Sequence, residues 1–454
     1  MAQRVLNNLI IISIFFSTMQ IRRVGFLGGT INKTKSRKPT VIYRGPESPL
    51  YTAVCPFVYV FRIFGLAPYE FADDILVPSC FNAIFSFMGM VLYCWIIYGV
   101  LASFYHVDRG SPVLGHTETV KTTFNFCVAL MDIVVALYYR SEFTKIWNSI
   151  QDHDDRIREL GYKKNERKTT IFVWTSLVLS FVTCISINRL GMRAFIQSWW
   201  DNISYLLPYI GTSVSVVKFS GILLLLGDRF YQLNEIAKEN IPVKPRWMNI
   251  VPVVNARNVE HLHDNLMVLG EKLESMYSWS LMAWVINLSF HLVFNLYFII
   301  DWILKPEVIW APVFCLLSWT VAFAGQLILL HYACDYASQE ASMMAYIMLS
   351  WKRWLCTRNG NWVVETLMHL RNRRLQFSAA GCFDVNLSLL RTIAALLTTY
   401  LVILLQFEST LFSFFLWQSM LTSWLHHVQT LLFFTPKGIK HGFKKRVLAA
   451  STLN

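Results

Sequence analysis

The sequence predicts an all-α membrane protein with seven transmembrane helices and an inside N-terminus. Its composition is too apolar for a soluble domain, seven runs approach the spanning length, and basic residues alternate between the connections. Of 454 residues, 55% are hydrophobic and 15% aromatic, and only 15% are charged, against about 25% in soluble proteins. The formal net charge of +13 does not indicate a nucleic-acid partner. Lys and Arg cluster between the apolar runs, as they do on the cytoplasmic side of membrane proteins. The 9 cysteines form no Cys-x-x-Cys pair, and most lie in or beside apolar runs. Neither a disulfide framework, nor a metal site, nor a cofactor is expected.

Residues 1–78 read as a basic cytoplasmic leader with Arg22, Arg23, Lys33, Lys35, Arg37 and Lys38. Its one apolar run, Leu9 to Phe16, is shorter than the roughly 20 residues a span requires, and no small-x-small cleavage site follows. Seven longer segments lie at 80–104, 122–139, 170–189, 203–226, 277–300, 308–332 and 386–407. The connections after the second, fourth and sixth are rich in basic residues, among them Arg156, Arg158, Lys163, Arg229, Lys244, Arg246, Arg371 and Arg373. Those after the first, third and fifth hold only Arg109 and Lys121, Arg189 and Arg193, and Lys305. The positive-inside rule then places the N-terminus in the cytoplasm and the end of the seventh segment outside. The sequon at Asn202 falls in an expected outside loop; those at Asn32, Asn287 and Asn386 do not, so a chance match is as good a reading.

The inside loops carry helical patterns of their own. Leu262, Leu266, Leu269 and Leu273 are spaced as one face of an amphipathic helix leading into segment five. Similar extensions run from Asp335 past Trp354 and from Val363 to Leu375. They suit helices within one subunit and contacts between subunits equally well.

The seventh segment ends Thr398-Thr-Tyr-Leu-Val-Ile-Leu-Leu-Gln-Phe407. An amide such as Gln406 at the end of a lipid-length helix is costly unless it faces protein or water. It either caps the helix at the interface or lines a path through the membrane. The Thr-Tyr, five apolar residues, then Gln-Phe pattern resembles the end of the insect gustatory receptors. Phe377-Ser-Ala-Ala-Gly-Cys-Phe-Asp-Val-Asn386 is similar to the lead-in to their last helix, and Phe61-Arg-Ile-Phe-Gly-Leu-Ala-Pro68 to the run before their first. The resemblance covers roughly residues 55–408.

That resemblance implies a tastant-gated, non-selective cation channel subunit in the plasma membrane of sensory neurons, assembled as a homo- or hetero-tetramer with related subunits. Each last helix would line a central pore, with Gln406 in the outer pore, Ile403 as the apolar gate, and Tyr400 and Phe407 supporting from the side. Helical spacing puts Thr399, Ile403 and Gln406 on one face. Candidate ligand-binding residues are the shared-face sets Trp319 with Gln326 and Trp284 with His291, the intramembrane ionisable groups Asp132 and Lys218, and Tyr209. For each taken singly, helix packing is the plainer reading, and Trp200, Tyr205 and Tyr209 also suit an interfacial aromatic belt. Leu401 stands where the main sugar-receptor branch carries an acidic residue, which speaks against that branch and leaves a fructose-type sugar or a bitter-type ligand, the latter favoured as the larger group.

The receptor unit is thus expected at 79–408, followed by an atypical extension at 409–454 that is first apolar and then basic. A G-protein-coupled receptor would need an outside N-terminus, contrary to the loop charges. A transporter would show duplicated halves with interrupted helices, which are not evident. Enzyme chemistry has one seed, Asp152-His-Asp-Asp155, and it reads as a solvated mixed-charge loop.

Overall fold

A computed structural model of the chain describes residues 45–106, 112–163, 166–195, 199–240, 256–304, 309–355, 365 and 368–408, together with the short strand 32–33. Its helices are α1 (Pro49–Ile63), α2 (Cys80–His106), α3 (Pro112–Tyr138), α4 (Arg140–Glu159), α5 (Arg167–Phe195), α6 (Trp199–Glu239), α7 (Ala256–Leu304), α8 (Trp310–Leu355) and α9 (Leu387–Glu408). The strands are β1 (Asn32–Lys33), β2 (Tyr69–Ala72), β3 (Ile75–Pro78), β4 (Tyr162–Lys163), β5 (Ser378–Ala379) and β6 (Phe383–Asp384), paired antiparallel as β1 with β4, β2 with β3 and β5 with β6. Two compact units divide between Leu405 and Gln406. The larger holds the helical bundle.

The seven expected segments are helical and in the expected order. Six helices, α2, α3 and α5 to α8, are long and apolar enough to cross a membrane, and α9 adds a shorter apolar stretch over Leu387–Ile403. At 41, 49 and 46 residues, α6, α7 and α8 outrun a bilayer. The amphipathic pattern before segment five is continuous with it: Leu262, Leu266, Leu269 and Leu273 are all buried on the lower half of α7. The stretch beyond Asp335 likewise continues α8, burying Ala337, Ala341 and Met344.

α6 is the central strut. Its apolar stripe of Val216, Phe219, Leu223, Leu226, Phe230, Leu233 and Ile236 is wholly inaccessible, at the three-and-four spacing of a buried helix face. It packs against α8 most extensively, and also against α1, α2, α3, α5 and α7. Gly227 permits the closest approach: a Cβ there would meet the Tyr336 ring at 2.7 Å and the Ala337 backbone at 3.3 Å. By contrast, α2 and α5 turn large apolar residues outward, including Phe81, Met88, Trp95 and Tyr98, and Trp174, Leu179 and Phe181. Those faces suit hydrocarbon.

Three elements have no counterpart in the apolar-run pattern. Ser48 caps α1, accepting from the Tyr51 N–H at 3.1 Å, and Leu50, Val54, Val58 and Phe61 join the main core. The β2–β3 hairpin follows, and its Tyr69 and Leu76 are buried in the same core. Residues 49–78, read from sequence as the end of a leader, therefore pack with the spanning helices. α4 holds the hairpin through Asn148, which both donates to and accepts from the Leu76 backbone at 2.9 Å.

The Asp152–Asp155 stretch corrects a second expectation. It is not a solvated loop but part of α4, with His153 and Asp155 buried. Asp154 accepts from Arg229 at 2.8 and 3.1 Å, and Glu166 accepts from the same guanidinium at 2.9 Å. Arg229 is fully buried. A guanidinium placed among α4, α6 and the start of α5 ties the three together, because its fork satisfies two carboxylates at once. Asn202 is also corrected: it lies in the first turn of α6, is buried, and donates to the Asn188 carbonyl at 3.0 Å, which leaves no room for a glycan.

Replacing Arg229 with Met should strand buried carboxylates and cost about 3–5 kcal/mol, read as a fall in the thermal unfolding midpoint in detergent. Gly227→Val should destabilise by about 1–3 kcal/mol through overpacking, whereas Gly221→Ala, with no atom within 4 Å of the added carbon, should melt like the parent.

Candidate functional site

Five helices, α3 and α5 to α8, line a cavity with a polar wall, α5 through Gly191 and Phe195. Glu118 and Lys121 enter from α3, Tyr205 and Tyr209 from α6, His291 and Asn295 from α7, and Trp319 and Phe323 from α8. Its empty space, including the part open to solvent, is about 730 Å³. Each helix contributes residues three or four apart, so a single face of each is turned inward.

One wall is aromatic. Tyr209 lies 4.9 Å from Trp319 and 5.1 Å from His291, and Phe323 stacks on His291 at 4.6 Å and on Trp319 at 5.3 Å. The other wall is polar. Lys121 donates to Glu118 at 2.6 Å and to the Asn295 side-chain carbonyl at 3.1 Å. The Tyr205 hydroxyl donates to the second Glu118 oxygen at 2.7 Å, and Tyr209 donates to Tyr205 at 3.3 Å. Two buried atoms lining the cavity have no hydrogen-bond partner among the described residues, His291 Nε2 and Asn295 Nδ2.

Three sequence candidates, Tyr209, His291 and Trp319, meet in this cavity. Tyr209 is buried rather than placed in an interfacial belt. The other four lie outside this cavity and are bonded to other elements. Trp284 Nε1 donates to Asp132 at 2.9 Å, joining α7 to α3. Gln326 donates to Ser213 at 2.8 Å, joining α8 to α6. Lys218 donates to the Leu66 carbonyl at 2.6 Å and sits 4.4 Å from the Phe143 ring centre. Glu118, Lys121, Asn295 and Phe323 escaped sequence reasoning. Lys121 was placed in a loop, but α3 begins at Pro112. Proline at the first helical position is a start signal, and reading it would have put Glu118 and Lys121 one turn apart inside the helix.

α9 forms the second feature of interest. Asn386 caps it, accepting from the Leu389 N–H at 2.9 Å, which accounts for the sequon there. The positions 389, 393, 397 and 401 face the core, with Ile393 and Leu401 buried. Ser388, Thr392, Ala395, Thr399 and Ile403 form an exposed stripe on another face, and Tyr400 is 41% exposed. Thr392 and Thr399 donate back to backbone carbonyls four residues earlier, at 3.3 and 3.0 Å. Gln406 and Phe407 are within the helix, but their side chains lie outside the described residues.

The β5–β6 hairpin before α9 is bonded to α7. The Ala380 N–H donates to the Ser278 carbonyl and hydroxyl at 3.0 Å, and Ser278 donates to the Ser378 carbonyl at 2.9 Å. Ala380 and Gly381 both have positive φ, 51° and 71°. Glycine adopts this conformation freely and alanine does not, so the bonds from Ser278 hold the turn. α7 therefore touches the cavity at His291 and the α9 lead-in at Ser278.

Comparison with known proteins agrees with this architecture. The profile of the 7tm chemosensory receptor family matches residues 54–411. Gustatory receptor 28a of Drosophila melanogaster is 22% identical over 422 residues, spanning 80% of this chain and 92% of that receptor. Gustatory receptor 2a of the same fly is 34% identical over 115 residues, 20% of this chain and 27% of the receptor, so that match spans about a quarter of the relative. The insect olfactory receptor OR5 from Machilis hrabei shares the fold at 13% identity, with a TM-score of 0.57 over 79% of this chain and 98% of that one. Its complex with eugenol gives 0.58 over the same shares. With the profile matched along most of its length, and with the expected resemblance to insect gustatory receptors met in sequence, the chain belongs to the 7tm chemosensory receptor family.

Proposed function

We propose that the chain is a subunit of a tastant-gated, non-selective cation channel, a tetramer of identical or related subunits in the plasma membrane of sensory neurons with its N-termini in the cytoplasm. The carrying observation is the exposed stripe of α9. Ser388, Thr392, Ala395 and Thr399 are small or hydroxyl-bearing, unlike the large apolar residues that α2 and α5 turn outward. Such a face suits water and neighbouring copies better than hydrocarbon. Ile403 continues the stripe as an apolar ring that closes by dewetting, and Gln406, three positions on, is the outer pore residue. Tyr400 and Phe407 brace the helix from beside it.

The ligand binds in the cavity of Tyr209, His291 and Trp319. The aromatic wall takes a flat apolar face, and His291 Nε2 and Asn295 Nδ2 take the ligand's hydrogen-bonding groups. The Machilis receptor was solved in complex with eugenol, which supports a small organic ligand here. Leu401, next to the motif tyrosine, favours a bitter-type compound over the main sugar class. Binding reaches the pore through α7, since Ser278 lies thirteen residues, roughly 20 Å of helix, from His291.

Expressed in cells without taste receptors, the chain should give ligand-evoked cation currents that persist when G-protein signalling is blocked; abolition by that block would remove the channel reading. His291→Phe, which keeps the ring stack, and Asn295→Leu should each raise the half-maximal ligand concentration about tenfold, the worth of one hydrogen bond, and leave ion permeability ratios unchanged. Gln406→Ala should do the reverse, altering permeability ratios with little change in potency. Ser278→Ala should lower the maximal current without changing ligand binding measured directly.

A further inference from the structure

A second cavity, of about 700 Å³, lies between α1, α4, α5 and the middle of α6. It is separated from the first by roughly two and a half turns of α6, since Tyr209 lines one and Lys218 the other. Its walls are apolar and largely aromatic, with Phe57, Phe143, Trp147 and Phe172 among them. Lys218 is the one Lys, Arg, Asp, Glu or His side chain in the lining, and it is 4% exposed.

The bonding of that ammonium is incomplete. It carries three N–H donors, and among the described residues it has one acceptor, the Leu66 carbonyl at 2.6 Å. The Phe143 and Tyr69 ring centres lie 4.4 and 5.6 Å from the nitrogen. No carboxylate among the described residues lies within 4.0 Å of it. The buried Asp132 carboxylate of α3 acts on it electrostatically from beyond that distance, so two of the three donors have no acceptor among the described residues. The cavity also has unfilled room at Gly221, where an added Cβ would meet no atom within 4 Å. α5, which forms one wall through Phe172, turns Ile171 and Trp174 outward on either side of it, so the cavity borders the hydrocarbon-facing surface.

We infer that this cavity binds a long-chain carboxylate, its acyl chain among the aromatic residues and its carboxylate paired with Lys218. The proposal concerns a site apart from the ligand cavity above and does not depend on channel activity. A membrane amphiphile matches both the apolar walls and the single buried cation, and it can enter from the bilayer alongside α5.

The test is photolabelling of the full-length protein in phospholipid nanodiscs with a diazirine-bearing fatty acid, and in parallel with the corresponding fatty alcohol, followed by peptide mapping. The acid should label peptides of α1 and α5 that line the cavity, and the alcohol should label them about tenfold less, the worth of a charge-assisted bond. Lys218→Met should bring acid labelling down to the alcohol level. Gly221→Leu, which occupies the free space while leaving Lys218 in place, should reduce both. Equal labelling by acid and alcohol in the unmodified protein would overturn the proposal, as would acid labelling confined to the outward faces of α2 and α5. The comparison of the two probes on the unmodified chain stands even if a variant fails to fold.

Discussion

Inside a bilayer no water is available to satisfy a polar group, so each such group must find a partner within the protein. That constraint arranges this bundle. The intramembrane polar pairs, Asp132 with Trp284, Asn125 with Asn287 and Gln326 with Ser213, all join α3, α6, α7 and α8. These four helices form the interior, and α2 and α5, whose outer faces are apolar, lie at the edge. Two of the buried polar atoms left without a hydrogen-bond partner among the described residues, His291 Nε2 and Asn295 Nδ2, lie together at the cavity between these helices.

Outside the apolar spans the same helices are joined by charge. Arg229 gathers Asp154 and Glu166 around one buried guanidinium. Arg373 clamps the segment before the β5–β6 hairpin to α7 through Glu271 at 2.7 Å and through Asp264. That clamp is largely exposed and worth less than the buried one, but it holds the hairpin near Ser278. The α9 lead-in is therefore fixed to a helix whose other end lines the cavity. A displacement at either end is carried by one continuous rod.

The seven spans were legible because apolar runs of spanning length admit few other readings. The amphipathic leucines before segment five were legible for the same reason of period. α1, the β2–β3 hairpin and α4 were not: α1 is apolar but only 15 residues long, the hairpin strands have four residues each, and α4 is mostly polar. Asn148 and Leu76, which hold the hairpin, are 72 residues apart. In the site, aromatic residues sharing helix faces pointed to Trp319 and His291. Glu118 and Lys121 were hidden by drawing the second helix ten residues late. Asp132 and Lys218 stood out as charges at membrane depth, but their partners, Trp284 and Leu66, are each 152 residues away, beyond any local pattern.

α9 touches the core along one stripe only, and by then nearly all of the core has been supplied by residues before it, from Leu50 to Val385. A ribosome delivers this helix after all of them. The preceding bundle can bury its interior before α9 emerges, so α9 adds little to that core. In the proposed assembly its hydroxyl-bearing face is the part that meets other copies. Synthesis order and packing would then separate folding from assembly: the bundle becomes a sound unit first, and α9 is the part by which the membrane can tell a lone subunit from a finished receptor.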